Sequence, residues 1–288
     1  MRQNRENRGR GSLRQRSLSI GNIEGIVEGV TCPKSGDIED PANNNTEVPE
    51  FLSNKAYATT LDALEIFKND ELTVKPGSKF SYTTFGLTLA GAVIEKCSGK
   101  SYRQLANKLF SDLGMRSTQL DSKEKIVANR VAYYQRNSSN VLENCPEVDC
   151  SNKYAGGGII SNVTDLLIFA NAILQSYGET KGTLIGRDTI RKFLNSQIPV
   201  DGKATSIGLG WFLVDGKEVK TMEGNVANTP FFYHTGAAVG ASSVLLIKPS
   251  ESSESQSSGV CVAILCNLQN ASVFELGRDI GDLFYNSM

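Results

Sequence analysis

A single histidine, His234, occurs among the 288 residues, and a single tryptophan. One imidazole cannot build a zinc site of two or three histidines, so any histidine chemistry must use that residue. Neither sign of charge is in excess: 30 Lys and Arg stand against 31 Asp and Glu, for a net charge of −1. The basic footprint of a nucleic-acid protein is therefore missing, and no nucleic-acid partner is expected. Apolar runs are short too; none approaches the roughly 18 residues of a membrane-spanning helix, so no transmembrane segment is expected. Six cysteines are present (Cys32, Cys97, Cys145, Cys150, Cys261 and Cys266), yet none forms a C-x-x-C pair. Cys261 and Cys266 fall in the apolar run 260–268, where free thiols act as small hydrophobes. Cys145 and Cys150 flank a polar loop and would pair only in an oxidising compartment; two reduced cysteines is the favoured reading. N-x-[ST] sequons open at Asn44, Asn137, Asn162 and Asn270, but no secretory signal precedes them, so glycosylation is not expected. No metal or other cofactor is expected.

Aromatic residues are absent before Phe51, and the start of the chain is polar. Arg2, Arg5, Arg8, Arg10, Arg14 and Arg16 face a single early acid, Glu6, which is the bias of a mitochondrial presequence. Its apolar face is thin, with only Leu13 and Leu18. Ile20, Ile23, Ile26, Val27 and Val30 recur at helical spacing, but Gly21, Gly25 and Gly29 interrupt them at about 1 kcal/mol each relative to alanine. Residues 1–55 read as an Arg-rich, disordered segment and 56–288 as the folded domain.

Within the domain, Leu61, Leu64 and Phe67 predict a short amphipathic helix that stops before Pro76-Gly77. An apolar helix should run from about Thr84 to Cys97, closed by Gly99. Ser101 should cap the next, with Tyr102, Leu105, Leu109 and Phe110 inward and Gly114 as its stop. Residues 130–153 read as strand fragments and loop. Ser161, Asn162 and Asp165 are a capped start for a helix 166–177, and a helix 186–195 with few apolar residues should lie outside. Ile207 to Val214 leads into Asp215-Gly216, a two-residue hairpin signal with 218–222 as the return strand. Strands are expected at 231–235, 243–248 and 260–268, with a solvated loop at 250–258. A final helix should turn Val273, Leu276, Ile280 and Phe284 to the core. A helical block, then antiparallel strands and a closing helix, is an α+β pattern.

With one histidine and no metal cluster, the catalytic systems left are Ser-Lys, Ser-Tyr or carboxylate pairs. Three segments bear on them: Pro76 to Gly86, with Tyr82 two residues before Thr84; Tyr154 to Ser161, with three glycines at 156–158; and Tyr233 to Ser243, containing His234-Thr235-Gly236. Taken singly, each has a structural explanation: an amphipathic tyrosine, a tight glycine turn, a hydrogen-bonded strand histidine. In this order, with Gly208-Leu209-Gly210-Trp211 before the last, they resemble the serine β-lactamase and penicillin-binding-protein superfamily, in its class C-like, esterase-like branch. The resemblance runs from about Ala56 to the C-terminus and is nearest to the mitochondrial members of animals. It implies a β-lactamase/transpeptidase-like antiparallel sheet flanked by helices. It also implies that Tyr82 acts as the catalytic tyrosine, and that His234, Thr235 and Gly236 hold the substrate's oxygens through hydroxyl, ring N–H and backbone. A phenol with an ordinary pKa near ~10 becomes a base only beside cations that stabilise its phenolate. Thr84 stands where most members have Asn, which puts one substrate contact in doubt.

The superfamily's nucleophile lies in Ser-x-x-Lys at a helix start upstream of the tyrosine motif. Nothing before Tyr82 fits. The sole match, Ser122-Lys123-Glu124-Lys125, lies downstream in a charged stretch, where Asp121 and Glu124 suggest a capped, solvated helix tip. The chain thus reads as an N-terminally incomplete member lacking the Ser-x-x-Lys helix. Two functions follow from the resemblance. One is a serine hydrolase or peptidase acting on peptide, acyl or ester groups, with the mitochondrial branch implying proteolysis, regulation of lipid metabolism and an intermembrane-space location. The other is a non-catalytic binding protein, or a scaffold forming homo-oligomers or filaments, on the same fold.

Overall fold

The computed structural model describes residues 52–288 apart from 73, 79, 179–182, 184, 200–204, 217–218, 222–223, 227–228 and 251–258. The Arg-rich start, the Ile/Val stripe at 20–30, Cys32, the Asn44 sequon and most of the loop expected at 250–258 lie outside the described residues.

The helical block is built on caps. Thr59 and Asp62 form a reciprocal capping box on α1 (Thr60–Ala63), which continues as a 3₁₀ turn, Leu64–Ile66. Thr83 caps α2 (Thr84–Ser98), and Ser101 with Gln104 boxes α3 (Tyr102–Leu113). Both helices end on left-handed glycines, Gly99 at φ 65° and Gly114 at φ 77°. One stripe of α2 carries Thr84, Thr88, Gly91 and Glu95, small or polar residues that let neighbours approach. A Cβ on Gly91 would sit 2.9 Å from the Ala155 Cβ and 3.1 Å from the Thr60 Cγ2. The buried Glu95 carboxylate accepts the backbone N–H of Thr60, Leu61 and Tyr102 at 3.1, 3.3 and 2.6 Å. It thereby satisfies the N-termini of α1 and α3 together. In α3 the buried pair is Ala106 and Phe110, flanked by Tyr102 and Leu113. Leu109, expected inward, is exposed. At about 100° per residue, 102, 113, 106 and 110 fall within an arc of about 80°, whereas 109 and 105 lie about 20° and 60° beyond its Tyr102 edge.

Short β1 (Gln119–Leu120), β2 (Tyr134–Arg136), β3 (Leu142–Asn144) and β4 (Ile159–Ile160) form two small antiparallel pairs, β1 with β4 and β2 with β3. Ser122–Lys125 is a turn, not a helix tip: the Asp121 carboxylate caps nothing and instead takes the Arg130 guanidinium at 2.6 and 3.1 Å. Asn162 is the cap of α4 (Val163–Gly178), its Oδ1 accepting from the Asp165 N–H at 2.8 Å. Asp165 points inward and accepts from the Ser117 N–H and the Thr118 hydroxyl, both at 2.8 Å. α5 (Arg187–Phe193) is less external than expected, because Ile190 is fully buried.

The main sheet adds β5 (Ile198–Pro199), β6 (Thr205–Ile207), β7 (Phe212–Val214), β10 (Phe231–Ala238), β11 (Ala241–Pro249) and β12 (Gly259–Cys266). Their order is β12-β11-β10-β7-β6-β5, with every pairing antiparallel. The expected hairpin at Asp215-Gly216 does not form. β7 turns back one strand earlier, pairing with β6 around Gly208–Trp211, and its other edge goes to β10. The segment after Gly216 provides β8 (Val219–Thr221), which pairs with β9 (Gly224–Val226) instead. The long-range pairing to β10, which buries Phe231 and Phe232, overrides the local turn signal.

Helices cover both faces of the sheet. On one side Ala170, Ile173 and Leu174 of α4 pack with Ile190, Trp211, Leu213, Phe232, Leu245 and Ile247. On the other, Phe231, Val244, Leu246 and Val262 meet α6 (Phe274–Tyr285) through Phe274 and Ile280. The inner line of α6 is Gly277 and Gly281, whose missing side chains bring its backbone onto Val244 and Leu246. Leu276 and Phe284, expected inward, are 54% and 59% exposed because the glycine line takes the contact. The described cysteines are all free, and burial pushes the Cys150 and Cys261 thiols up to about 11, as suits inert packing residues. The result is the expected α+β architecture, an antiparallel sheet flanked by helices.

Candidate active site

Three pieces are linked through the N-terminus of α2, which touches the glycine turn on one side and β10 on the other. The first is the N-terminus of α2: Tyr82 immediately precedes the cap Thr83, whose hydroxyl accepts from the Phe85 N–H at 3.2 Å, and Thr84 opens the helix. The second is the glycine turn. A Cβ on Gly156 would lie 3.1 Å from the Thr84 carbonyl oxygen and 3.3 Å from its Cβ, so only glycine allows this seating. The Thr88 hydroxyl, one helical turn on, donates to the Asn152 carbonyl at 3.1 Å and locks the same contact. The third is β10 itself.

β7 pairs with β10 only from Phe231 to Tyr233. From His234 to Ala238 the outer edge of β10 has no strand partner among the described residues, while its inner edge stays paired with β11 as far as Ala238. Gly236, Ala237 and Ala238 are exposed there. A Cβ on Gly236 would come within 2.3 Å of the Ser243 hydroxyl on β11, so the strand is held flat by glycine at this point. Backbone N–H and C=O groups without a strand partner on a rigid strand are a template for an extended amide or an acyl oxygen, the Thr235 carbonyl excepted because the His234 ring takes it.

The Tyr82 and His234 rings lie side by side, centroids 6.1 Å apart. His234 Nδ1 is 2.6 Å from the Thr235 carbonyl oxygen. A carbonyl only accepts, so Nδ1 carries the hydrogen and Nε2 of the neutral ring presents a lone pair. Burial lowers the His234 pKa below its ordinary value, and the carbonyl bond offsets this only in part, so the ring is neutral at pH 7. The neutral ring thus offers an acceptor, not the N–H contact to substrate that the resemblance implied. Burial also raises the Tyr82 phenol, with no opposing charge among the described residues. The cations that would make it a phenolate base are not in the described part of the site.

Sequence reasoning missed two side chains. Phe212 stands 5.6 Å from the His234 ring and 6.2 Å from Phe80, which meets it edge-on. Their signal was present: Phe80 precedes Tyr82 by two residues, and Phe212 follows the Gly-Leu-Gly-Trp run.

Residues 35–283 match the Beta-lactamase family. This chain belongs to it. Its curated relatives include the mouse serine beta-lactamase-like protein LACTB, mitochondrial, 36% identical over 248 residues covering 80% of this chain and 45% of the relative. The human protein of that name is 35% identical over the same share of this chain. The chain thus spans less than half the length of the curated relatives it matches. Among solved structures, the octameric penicillin-binding protein homologue from Pyrococcus abyssi superposes with a TM-score of 0.66 at 20% identity, over 92% of this chain and 51% of that one. D-amino acid amidase from Ochrobactrum anthropi SV3 gives 0.63 at 18% identity, over 83% and 68%. These two share the fold. Within this β-lactamase fold the N-terminus of α2 meets the glycine turn through Thr84 and Gly156, and the His-Thr-Gly strand through Tyr82 and His234.

Proposed function

We propose that this chain carries the substrate-binding half of a β-lactamase-like serine hydrolase site, for a peptide or acyl/ester group. The observation that carries the reading is the β10 edge from His234 to Ala238, without a strand partner among the described residues, with Tyr82 beside it. Thr235 and Gly236 offer hydroxyl and backbone to the acyl oxygens, His234 Nε2 accepts an N–H from the substrate, and Thr84 borders the glycine-turn side. Tyr82 moves the proton of a nucleophile when one is supplied. Similarity to relatives named as mitochondrial supports the same compartment for the protein to which this chain corresponds.

Between Met1 and Tyr82 the 288-residue chain holds no Ser-x-x-Lys, and an acyl-enzyme needs that activated serine. Taken with the raised Tyr82 pKa, this favours binding without turnover by the chain alone, as in a scaffold or homo-oligomeric assembly. The test treats the 288-residue chain with a fluorophosphonate probe and reads intact mass. No mass addition, together with retained binding of N-acetyl amino-acid amides, is expected. Stoichiometric labelling, abolished by Tyr82→Phe, would overturn the non-catalytic reading; absence of amide binding would overturn the site itself.

A further inference from the structure

The free edge of β10 runs into a wall of rings. Phe212, the residue of β7 that pairs with Tyr233, stands where β7 stops and the open edge begins. Its ring stacks on Tyr233 at 5.4 Å, lies 5.6 Å from His234 and receives the Phe80 edge at 6.2 Å. Phe80, Phe212 and His234 are only partly buried and Tyr82 is exposed, so ring surface remains open to a ligand. Among the described residues no ion pair, charged hydrogen bond or cation–π contact involves Phe80, Tyr82, Phe212 or His234.

Such a wall discriminates by polarity. An apolar or aromatic side chain gains buried area and offset or edge-on ring contacts. A carboxylate would lose hydration against negative ring faces, with no cation paired to those rings among the described residues. We propose that Phe80 and Phe212 form the specificity subsite for the group held along β10, and that it takes an uncharged aromatic or branched-aliphatic side chain in preference to an anionic one. This rests on the reading of the β10 edge as the substrate strand.

The sole histidine supplies the readout, since its ring protons give one set of NMR signals from the site itself. The 288-residue chain is titrated with N-acetyl-phenylalaninamide, N-acetylglycinamide and the α-amide of N-acetylaspartate, following His234. The phenylalanine amide should bind about tenfold tighter than the glycine amide, a difference of ~1.4 kcal/mol, and the aspartate amide no tighter than glycine. Phe212→Leu, which keeps the apolar volume and the fold, should cut the phenylalanine preference at least threefold, and Phe80→Ala should do the same from the other wall. Equal binding of the phenylalanine and glycine amides, an aspartate preference, or a preference unchanged in both variants would overturn the subsite while leaving the strand reading intact. If none of the three amides binds, the strand reading fails, and the subsite with it.

Discussion

Burial and a backbone carbonyl act on His234 in opposite directions, and burial dominates. The folded ring therefore holds its proton less tightly than the unfolded one, whose pKa is about 6.5. Between pH 6.5 and the lower folded value the unfolded state binds the extra proton. Its contribution to stability is complete above about pH 6.5, is lost as pH falls through that window, and is constant below it. Thermal unfolding at pH 7.5 and 5.0 should show a smaller acid loss in His234→Gln than in the parent; an identical loss would mean that the ring is not held neutral by burial. At the same scale Tyr82 was legible as a candidate through the order of the three segments and the resemblance they carry, but its protonation was not. Motif order says nothing of the desolvation that keeps the phenol protonated.

Single side chains also hold whole elements together. Glu95 caps α1 and α3 with one carboxylate, so Glu95→Ala strands three backbone donors and should cost about 2–3 kcal/mol in chemical denaturation. Glu95→Gln, which keeps one acceptor oxygen, should lose less. α6 is held by a different device. Lys248 is 1% exposed, bonds Asp282 of α6, and lies 5.6 and 5.2 Å from the Phe231 and Tyr285 ring centroids. Removing the partner leaves a buried ammonium unpaired, and Asp282→Ala should destabilise by about 3 kcal/mol. Lys248→Met, which fills the same space without charge, should be neutral or stabilising. If the two variants cost the same, the ion pair itself and not its desolvation would set the energy. Neither device was legible in sequence. Nothing in the apolar run 84–97 marks Glu95 as a cap for two helices, and Lys248 is only the polar end of the expected strand 243–248; the elements packed around them give them partners.

For the molecule as a whole, the decisive feature is that β12 ends the sheet. Gly259–Cys266 pairs with β11 on one side and with no strand on the other among the described residues, while β11 is paired on both. Amide hydrogen exchange should therefore find β11 protected throughout its paired length and alternate amides of β12 exchanging quickly. Protection of every β12 amide would show that a further strand covers that edge. The same view explains the site. β7 pairs with β10 only as far as Phe212, so among the described residues the outer edge of β10 has no strand partner where His234-Thr235-Gly236 begins, and this second edge lies beside Tyr82.

Legible along the chain alone were the α+β class, the caps at Ser101 and Asn162, the glycine stops at 99 and 114, and the order of the Tyr, Gly-Gly-Gly and His-Thr-Gly segments. These depend on short-range chemistry: a side-chain oxygen meeting a free N–H, a missing Cβ, a fixed motif order. Only the tertiary structure decided which helix faces turn inward, where β7 finds its partners, and which rings wall the site. Each is a competition among surfaces far apart in the chain. Gly277 and Gly281 displace Leu276 and Phe284 because close backbone approach to the sheet outweighs a wider apolar stripe, and β10 takes β7 away from the Asp215-Gly216 turn because pairing there buries Phe231 and Phe232.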